Sequence, residues 1–404
     1  MENLKNRKVA IVHDYLNQYG GAERVLEAMH EMYPSAPIYT TIYLPENLPR
    51  KFRKMDIRPS FMQELPFLRE HFKKYLLLYP FAIRSFDLSS YDVVLSSSSA
   101  FAKGANTGSA FHICYCYTPM RFAWRFDDYI KKEQFSPAIK KLLPLIIKFL
   151  KIWDLWSSSK VDNFIATSKN IRGRIQDIYN RDAEVIYPPV APGNYYKGIP
   201  RNYTVGNFGA SSNSGPGNYF LLVSRLVPYK RIDIVVKAFN SLGLPLRIIG
   251  EGPHRQCLES MANSNVKFLG RVSDEVLVEN YSACQAVISP GEEDFGLVPV
   301  EAMASGKPVI AYAGGGVLET VTDGISGIFF HEQTPEAVFD AVARFGRIHH
   351  VFNSDAIRER ALVFDREVFK EKLNGLICEK YEEYLAREKR GMSVMGALKF
   401  ASFL

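Results

Sequence analysis

The sequence predicts an α/β protein made of two Rossmann-like, doubly wound parallel-sheet domains that face each other across a cleft. Three observations carry this expectation. Short β-branched or apolar runs alternate with helical stretches through most of the chain. The alternation lapses over residues 191–217, where Gly, Asn, Ser and Pro dominate, and then restarts. A length of 404 residues suits two or three separate cores.

In chain order, the strand candidates of the first half are Val9–Val12, Val93–Ser96, Ile113–Tyr117, Asn163–Ala166 and Val185–Ile186. Ala22–Met32 reads as a helix because Val25, Leu26 and Met29 recur at helical spacing. Ser168 reads as the N-cap of a second helix that runs to Tyr179. After the break, strands are expected at Tyr219–Ser224, Leu246–Ile249, Val266–Leu269, Ala286–Ser289, Val309–Ala311 and Ile328–Phe330. Helices are expected near Ile232–Leu242, His254–Ala262 and Pro299–Ala304, and a charged helix from Asp355 to about Lys389. The tail from Gly391 to Leu404 turns small and apolar. The expected division is an N-terminal domain over 1–190, a linker over 191–217, a second domain over 218–375, and a C-terminal helix with its tail over 376–404.

A composition 47% hydrophobic and 23% charged is that of a globular enzyme. The net charge of +7 fits an anionic small molecule or an acidic membrane surface, and falls short of a nucleic-acid-binding signature. The apolar stretch Val9–Val12 is too short for a signal-peptide core. Leu142–Leu150 is interrupted by Pro144 and Lys148, and a bilayer span needs about 20 apolar residues. A cytoplasmic location is expected, with contact at the inner face of the membrane as an extension of it. Five cysteines in such a chain read as reduced thiols. Cys114 and Cys116, in one apolar strand, are expected to point to opposite faces as core residues.

Three segments carry chemistry. The first is Gly291-Glu292-Glu293-Asp294-Phe295-Gly296-Leu297-Val298-Pro299-Val300-Glu301, in which Glu293 and Glu301 flank seven residues around a glycine turn. Pro299 marks the start of a helix, and free amides near Gly296, Leu297 and Val298 would attract phosphate oxygens. Glu301, one turn in, suits a ribose diol, and Glu293 in the loop suits sugar hydroxyls. The plainer alternative is a helix start with stabilising acids. The second segment, Val223-Ser224-Arg225-Leu226-Val227-Pro228-Tyr229-Lys230-Arg231, places cations at the carboxyl end of a strand. Arg225 would grip two oxygens of a departing diphosphate, and Lys230 would act as a point charge; a solvated basic loop is the alternative. The third is Gly20-Gly21-Ala22-Glu23-Arg24, where adjacent glycines before a helix admit a close ligand. Neither this segment nor Gly250-Glu251-Gly252-Pro253 completes a dinucleotide fingerprint, which counts against an NAD enzyme.

Together these segments resemble the retaining glycosyltransferases of family 4. Tyr91-Asp92-Val93-Val94, Tyr117-Thr118-Pro119-Met120-Arg121 and Ile186-Tyr187-Pro188-Pro189-Val190 extend the resemblance over nearly the whole chain. The resemblance implies the GT-B fold, with the N-terminal domain serving the acceptor and the last helix packing back on it. It implies that Arg225 and Lys230 clamp the diphosphate, and that Glu301 holds the ribose. Glu293 and the Phe295–Val298 backbone would cradle the donor sugar. Gly250, Arg271 and Val272 would frame the nucleobase, while Gly20 and Gly21 close on the phosphates. On the acceptor side, Tyr117 stands where related sequences often carry histidine, with Arg121 beside it. A tyrosine pKa of about 10 makes it a poor base near neutrality.

No Asp-x-Asp motif appears, so cations and helix-start amides are expected to do the work of a metal ion, with no cofactor required. For a retaining enzyme without a clear nucleophile the expectation is front-side transfer, the departing phosphate oxygen deprotonating the acceptor; covalent attack by Glu293 is the second option. The segments Thr118–Trp124 and Glu292–Gly296 look most like mannosyltransferases that use GDP-mannose. A glycan or lipid-linked glycan is the expected acceptor, with no nucleic-acid partner. Pro66–Arg84 and Ile130–Trp156 mix cations with large apolar residues. They read either as membrane-surface segments or as helices packed on the N-terminal sheet. An epimerase on the same fold and a catalytically silent nucleotide-sugar-binding protein are the rival readings.

Overall fold

The computed structural model describes residues 6–126, 137–190 and 217–401. Two wholly parallel sheets organise it. The N-terminal sheet contains β1 (Val9–His13), β2 (Ile38–Thr40), β3 (Ile57–Pro59), β4 (Val93–Ser98), β5 (Phe111–Cys116), β6 (Asn163–Ala166) and β7 (Ala183–Val185), in the order β3-β2-β1-β4-β5-β6-β7. The C-terminal sheet contains β8 (Phe220–Val223), β9 (Leu246–Ile249), β10 (Val266–Gly270), β11 (Val287–Ser289), β12 (Val309–Tyr312) and β13 (Gly327–Phe330), ordered β10-β9-β8-β11-β12-β13. Every residue of β1, β4 and β5 is buried, as helices on both faces require; Val9–Val12 and Val93–Leu95 are unbroken apolar runs, and the polar His13, Ser96, Ser97, Ser98 and His112 are buried with them.

Helices of eight residues or more are α1 (Gly21–Met32), α2 (Pro137–Ser158), α3 (Lys169–Tyr179), α4 (Ile232–Leu242), α5 (Asp274–Ala283), α6 (Leu297–Ala304), α7 (Pro335–Ile348), α8 (Ser354–Leu362) and α9 (Arg366–Ala401). The apolar stripe of α1, Val25, Leu26 and Met29, is fully buried against the sheet. The Ser168 hydroxyl caps α3 by accepting from the Ile171 amide. The last helix, α9, leaves the C-terminal domain and crosses to the other. Phe369, Leu373, Ile377 and Tyr381 join the core of Ile11, Val93 and Phe111. Arg366 ties its start to Glu27 and Glu31 of α1 at 2.9 and 2.7 Å.

Two buried polar clusters fix the upper rim of the N-terminal sheet. Asp14, just after β1, accepts from the Ser99, Ala100, Phe101 and Ala102 amides and from the Ser99 hydroxyl. That satisfies a buried carboxylate with fixed donors and joins the ends of β1 and β4. Asp154 of α2 accepts from the Lys103 ammonium, from Trp124 Nε1 at 2.7 Å and from Tyr179 Oη at 2.8 Å. Burial pulls the Lys103 pKa down, but adjacent Asp154 outweighs it and holds the ammonium above the ordinary lysine range.

The structure corrects two expectations and adds to others. Cys114 and Cys116 share one face, both packing with Phe164 and Ala166, while Tyr115 points to the other core. A strand repeats every two residues, so i and i+2 are neighbours on one side. The charged stretch from Asp355 is two helices, α8 and α9, separated at residues 363–365, and α9 begins ahead of the expected boundary at 376. Pro144 lies inside α2, and among the described residues no helix is long and apolar enough to cross a membrane, as expected of this stretch. Strands β2 and β3 carry no expectation from the sequence: each has three residues, and Tyr39, Thr40, Arg58 and Pro59 leave no apolar run to mark them. The expected linker at 191–217 lies, apart from Gly217, outside the described residues.

Candidate active site

In open parallel sheets, ligands bind beyond the carboxyl ends of the strands where the strand order reverses. Here those points lie between β1 and β4 and between β8 and β11. The loops leaving them meet. β1 leads to Gly20-Gly21 and the start of α1, β8 leads to Arg225–Lys230, and β11 leads through residues 290–296 to α6. A Cβ on Gly21 would lie 2.4 Å from Leu297 Cδ1, so the two helix starts approach as closely as a glycine allows.

Within the C-terminal domain, Lys230 Nζ donates to both oxygens of Glu293 at 2.7 Å. Arg225 is exposed and donates to Tyr229 Oη at 2.8 Å. The Tyr229 ring also lies 5.7 Å from Lys230 Nζ and 5.7 Å from the Arg121 guanidinium carbon. Three cations thus gather around one aromatic ring. Glu301 is buried on α6; it accepts from Tyr281 Oη at 2.9 Å and from Arg24 Nη1, across the cleft, at 2.6 Å. Gly296 is the N-cap of α6, and Leu297 and Val298 are its half-buried first residues. Phe295 is core, stacked on Tyr187 at 5.6 Å and packed against Phe364, which leaves only its backbone for a ligand. Gly250 has φ +134°, and a Cβ there would fall 1.9 Å from the Ser224 carbonyl oxygen. Its amide donates to the Gly270 carbonyl at 2.9 Å, which brings exposed Arg271 and half-buried Val272 to the same rim at the end of β10.

On the N-terminal side, Glu23 accepts from the Gly20 amide at 2.7 Å, which fixes the glycine turn. Beneath it, Tyr117 Oη donates to the Ala22 carbonyl at 3.1 Å and shares a hydrogen bond with Ser97 Oγ at 2.9 Å. His13 Nδ1 meets the same Ser97 hydroxyl at 2.9 Å. Burial, opposed by the Ser97 bond and assisted by nearby Glu23, pushes the Tyr117 hydroxyl well above the ordinary tyrosine range. Tyr117 is therefore a fixed donor that braces α1, one residue beyond the end of β5.

Arg121 is engaged too: its guanidinium grips Asp294. It belongs to a network across the cleft that no motif announced. Arg174 bridges Glu292 and Asp294, both at 2.7 Å, and Arg125 binds Glu292 at 3.0 and 3.2 Å. The capping hydroxyl of Ser168 donates outward to the Asp294 carbonyl at 2.6 Å. The first amides of α3, from Lys169 and Asn170, donate to Glu319. Burial acts to raise the Glu292 carboxyl, and Arg125, Arg174 and Arg121 outweigh it, holding it below the ordinary glutamate range. Within this network the cations stand on the N-terminal side of the cleft and the carboxylates on the facing wall. Arg24, Glu292 and Asp294 lie inside segments the sequence singled out, whereas Arg125, Arg174 and Glu319 carried no local signal.

Residues 207–348 match the family described as Glycosyl transferases group 1. An uncharacterized glycosyltransferase from Methanocaldococcus jannaschii is 27% identical over 237 residues, covering 56% of this chain and 61% of the relative. A GDP-mannose-dependent alpha-(1-6)-phosphatidylinositol monomannoside mannosyltransferase from Mycobacterium tuberculosis is 33% identical over 139 residues, 30% of this chain and 36% of that one. The chain thus spans about three fifths of the first relative's length and about a third of the second's. Among solved structures, Anabaena HepE in complex with UDP and glucose has a TM-score of 0.67 at 17% identity, covering 92% of this chain and 99% of that one. At that identity the likeness establishes the two-domain GT-B architecture.

Proposed function

With a GT-B fold and a group 1 glycosyl transferase match over residues 207–348 as premises, we propose that this chain is a retaining glycosyltransferase. It takes a hexose, mannose in preference, from a nucleoside-diphosphate sugar and passes it to a glycan or lipid-linked glycan. One observation carries the reading: Lys230, Glu293, Glu301 and the start of α6 converge at the carboxyl edge of β8 and β11, opposite Gly20-Gly21. Glycosidic cleavage leaves negative charge on the diphosphate, and preorganised donors there lower the barrier.

In this reading Arg225 and Lys230 hold the diphosphate, assisted by the Leu297 and Val298 amides. Glu301 exchanges Arg24 for the ribose diol. Glu293 turns from Lys230 to the hydroxyls of the donor sugar, and Gly250, Arg271 and Val272 frame the base. The braced, protonated Tyr117 cannot act as a base, which supports deprotonation of the acceptor by the departing phosphate oxygen on the same face. Arg121 lines the acceptor side through its hold on Asp294. The charge is supplied by side chains and amides, so transfer proceeds without a metal ion.

The preference for GDP-mannose rests on the Thr118–Trp124 and Glu292–Gly296 segments and on the partial match to the mycobacterial mannosyltransferase. Thermal-shift titration with GDP, UDP and ADP tests it directly. GDP is expected to raise the melting temperature most, and GDP-mannose to be consumed in EDTA. A larger shift with UDP would overturn the mannosyl assignment, and loss of turnover in EDTA would overturn metal independence.

A further inference from the structure

The N-terminal domain leaves a large apolar surface uncovered on the helix that also supports the cleft. Along α2, Leu142, Leu145, Phe149, Ile152 and Trp156 are 59%, 67%, 41%, 59% and 37% exposed. Their alternating spacings of three and four put them in a single stripe. The opposite side, Leu143, Ile147, Leu150 and Trp153, is buried in the domain. The helix is therefore apolar on two faces, and packing on the sheet accounts for only one.

The neighbouring segment adds to the stripe. Arg84 lies 4.5 Å from the Trp156 ring centroid, and Phe81, one turn earlier, is 60% exposed. Tyr75 Oη donates to the Pro66 carbonyl at 2.7 Å and folds this segment back to Phe67. Phe67 is 75% exposed at φ +53°, a backbone state that strains an aromatic residue and that no burial here offsets.

Charge decides what covers this face. Between residues 142 and 160 the only acid is Asp154, which is fully buried against Lys103. Residues 72–84 contain none, and the exposed acids beside Phe67, Glu64 and Glu70, are outnumbered by exposed Arg69, Lys73 and Lys74. Lys148 and Lys160 are exposed beside the stripe, and Lys160 lies 5.7 Å from the Trp156 ring. A second copy related by a twofold axis would bring cations against cations, whereas phosphate headgroups complement them.

We propose that this face docks on an anionic phospholipid bilayer, with the apolar stripe and Phe67 in the headgroup layer and the cations on lipid phosphates. The far side of the same helix carries Asp154, which holds Trp124 and so the turn whose Arg121 grips Asp294 in the cleft. Docking by α2 thus sets the acceptor wall of the cleft about one helix diameter from the membrane. This placement rests on the transferase reading insofar as it delivers a lipid-linked acceptor; the docking itself does not.

The test is sedimentation of the full chain with phosphatidylglycerol vesicles and with phosphatidylcholine vesicles. Binding is expected to phosphatidylglycerol at low salt, at least about tenfold weaker to phosphatidylcholine or at high salt. The F149S/I152S double variant should lose at least about tenfold in partitioning, and F67S less. Both keep the parent's circular dichroism and nucleotide-induced thermal shift, so folding is controlled. No binding to phosphatidylglycerol at low salt, or equal binding by F149S/I152S, sinks the proposal. So does a dimer in sedimentation equilibrium that F149S/I152S dissolves, since the stripe would then serve a second copy. No donor is present in the vesicle experiment, so its failure leaves sugar transfer standing, and a failed transfer assay leaves docking standing.

Discussion

Asp154 and Asp294 are both held by several donors, yet they do opposite things. Asp154 is wholly buried, and Lys103, Trp124 and Tyr179 reach it from inside one domain. The Asp294 side chain is 26% exposed, and Arg121 and Arg174 reach it across the cleft. A fully desolvated carboxylate cannot exchange its partners for water, so it joins α2 permanently to the rim of the sheet. A partly solvated one can, so the cleft network is a latch that a ligand or salt can open. The same ion-pair chemistry joins elements of one domain in one place and bridges two domains in the other, and solvent access makes the difference.

The widest separation between the two should come from Asp154→Ala. It strands a buried ammonium and two ring donors, and is expected to cost about 3–5 kcal/mol of stability. Urea unfolding at neutral pH measures this; a loss under about 1 kcal/mol would show that Asp154 is no weld. The converse holds for Arg225→Ala and Lys230→Ala. Each should lose on the order of 3 kcal/mol of transition-state stabilisation, roughly a hundredfold in kcat, with Tm little changed. Steady-state turnover of the donor that wins the thermal-shift comparison gives this, and wild-type rates in both variants would remove the diphosphate clamp.

How much was legible follows the same division. The alternation of strands and helices, the limits of α4 and the capping role of Ser168 could be read locally, because periodicity and caps are short-range. The placing of Lys230, Glu293 and Glu301 at one sheet edge was legible because each sits in a compact motif after a strand. Arg125 and Arg174 were not, because their partners Glu292 and Asp294 are more than a hundred residues away and only domain closure brings them together. Asp154 was hidden too, because its partners Lys103, Trp124 and Tyr179 come from three other elements of the same domain and no local spacing links them to it. The shared face of Cys114 and Cys116 follows from the two-residue strand period alone and needs no tertiary information.

A pH titration sharpens the comparison further. His112 is buried in β5 with Nε2 against Ser96 Oγ at 2.8 Å, and burial lowers its pKa from 6.5 to about 4. The unfolded chain therefore takes up this proton first as pH falls. Stability that is complete above pH 6.5 should decline down to about 4, with no further loss from this group below that. Urea midpoints across the range should show the decline, and His112→Gln should flatten it. The latch behaves differently. Arginines hold Glu292 below the ordinary glutamate range, so its contribution is intact above the unfolded value of 4.5 and fades only as pH falls through the depressed folded one.

Arg174→Ala should have a small effect on stability and give the clearest reading of the latch. Arg174 spans Glu292 and Asp294 from a side chain 17% exposed, so its removal weakens both cross-cleft contacts without emptying a core. The expected stability cost is on the order of 1 kcal/mol or less. The expected structural change is larger: small-angle scattering of the nucleotide-free variant should show an increased radius of gyration, as wild type would in high salt. Adding the nucleoside diphosphate should restore the compact form, because the ligand then bridges the walls that Arg174 no longer holds. A variant as compact as wild type at every salt concentration would mean that α9 and the Tyr187–Phe295 stack keep the domains together unaided. The arginines would then line a cleft that is fixed without them, and the contrast with Asp154 would dissolve.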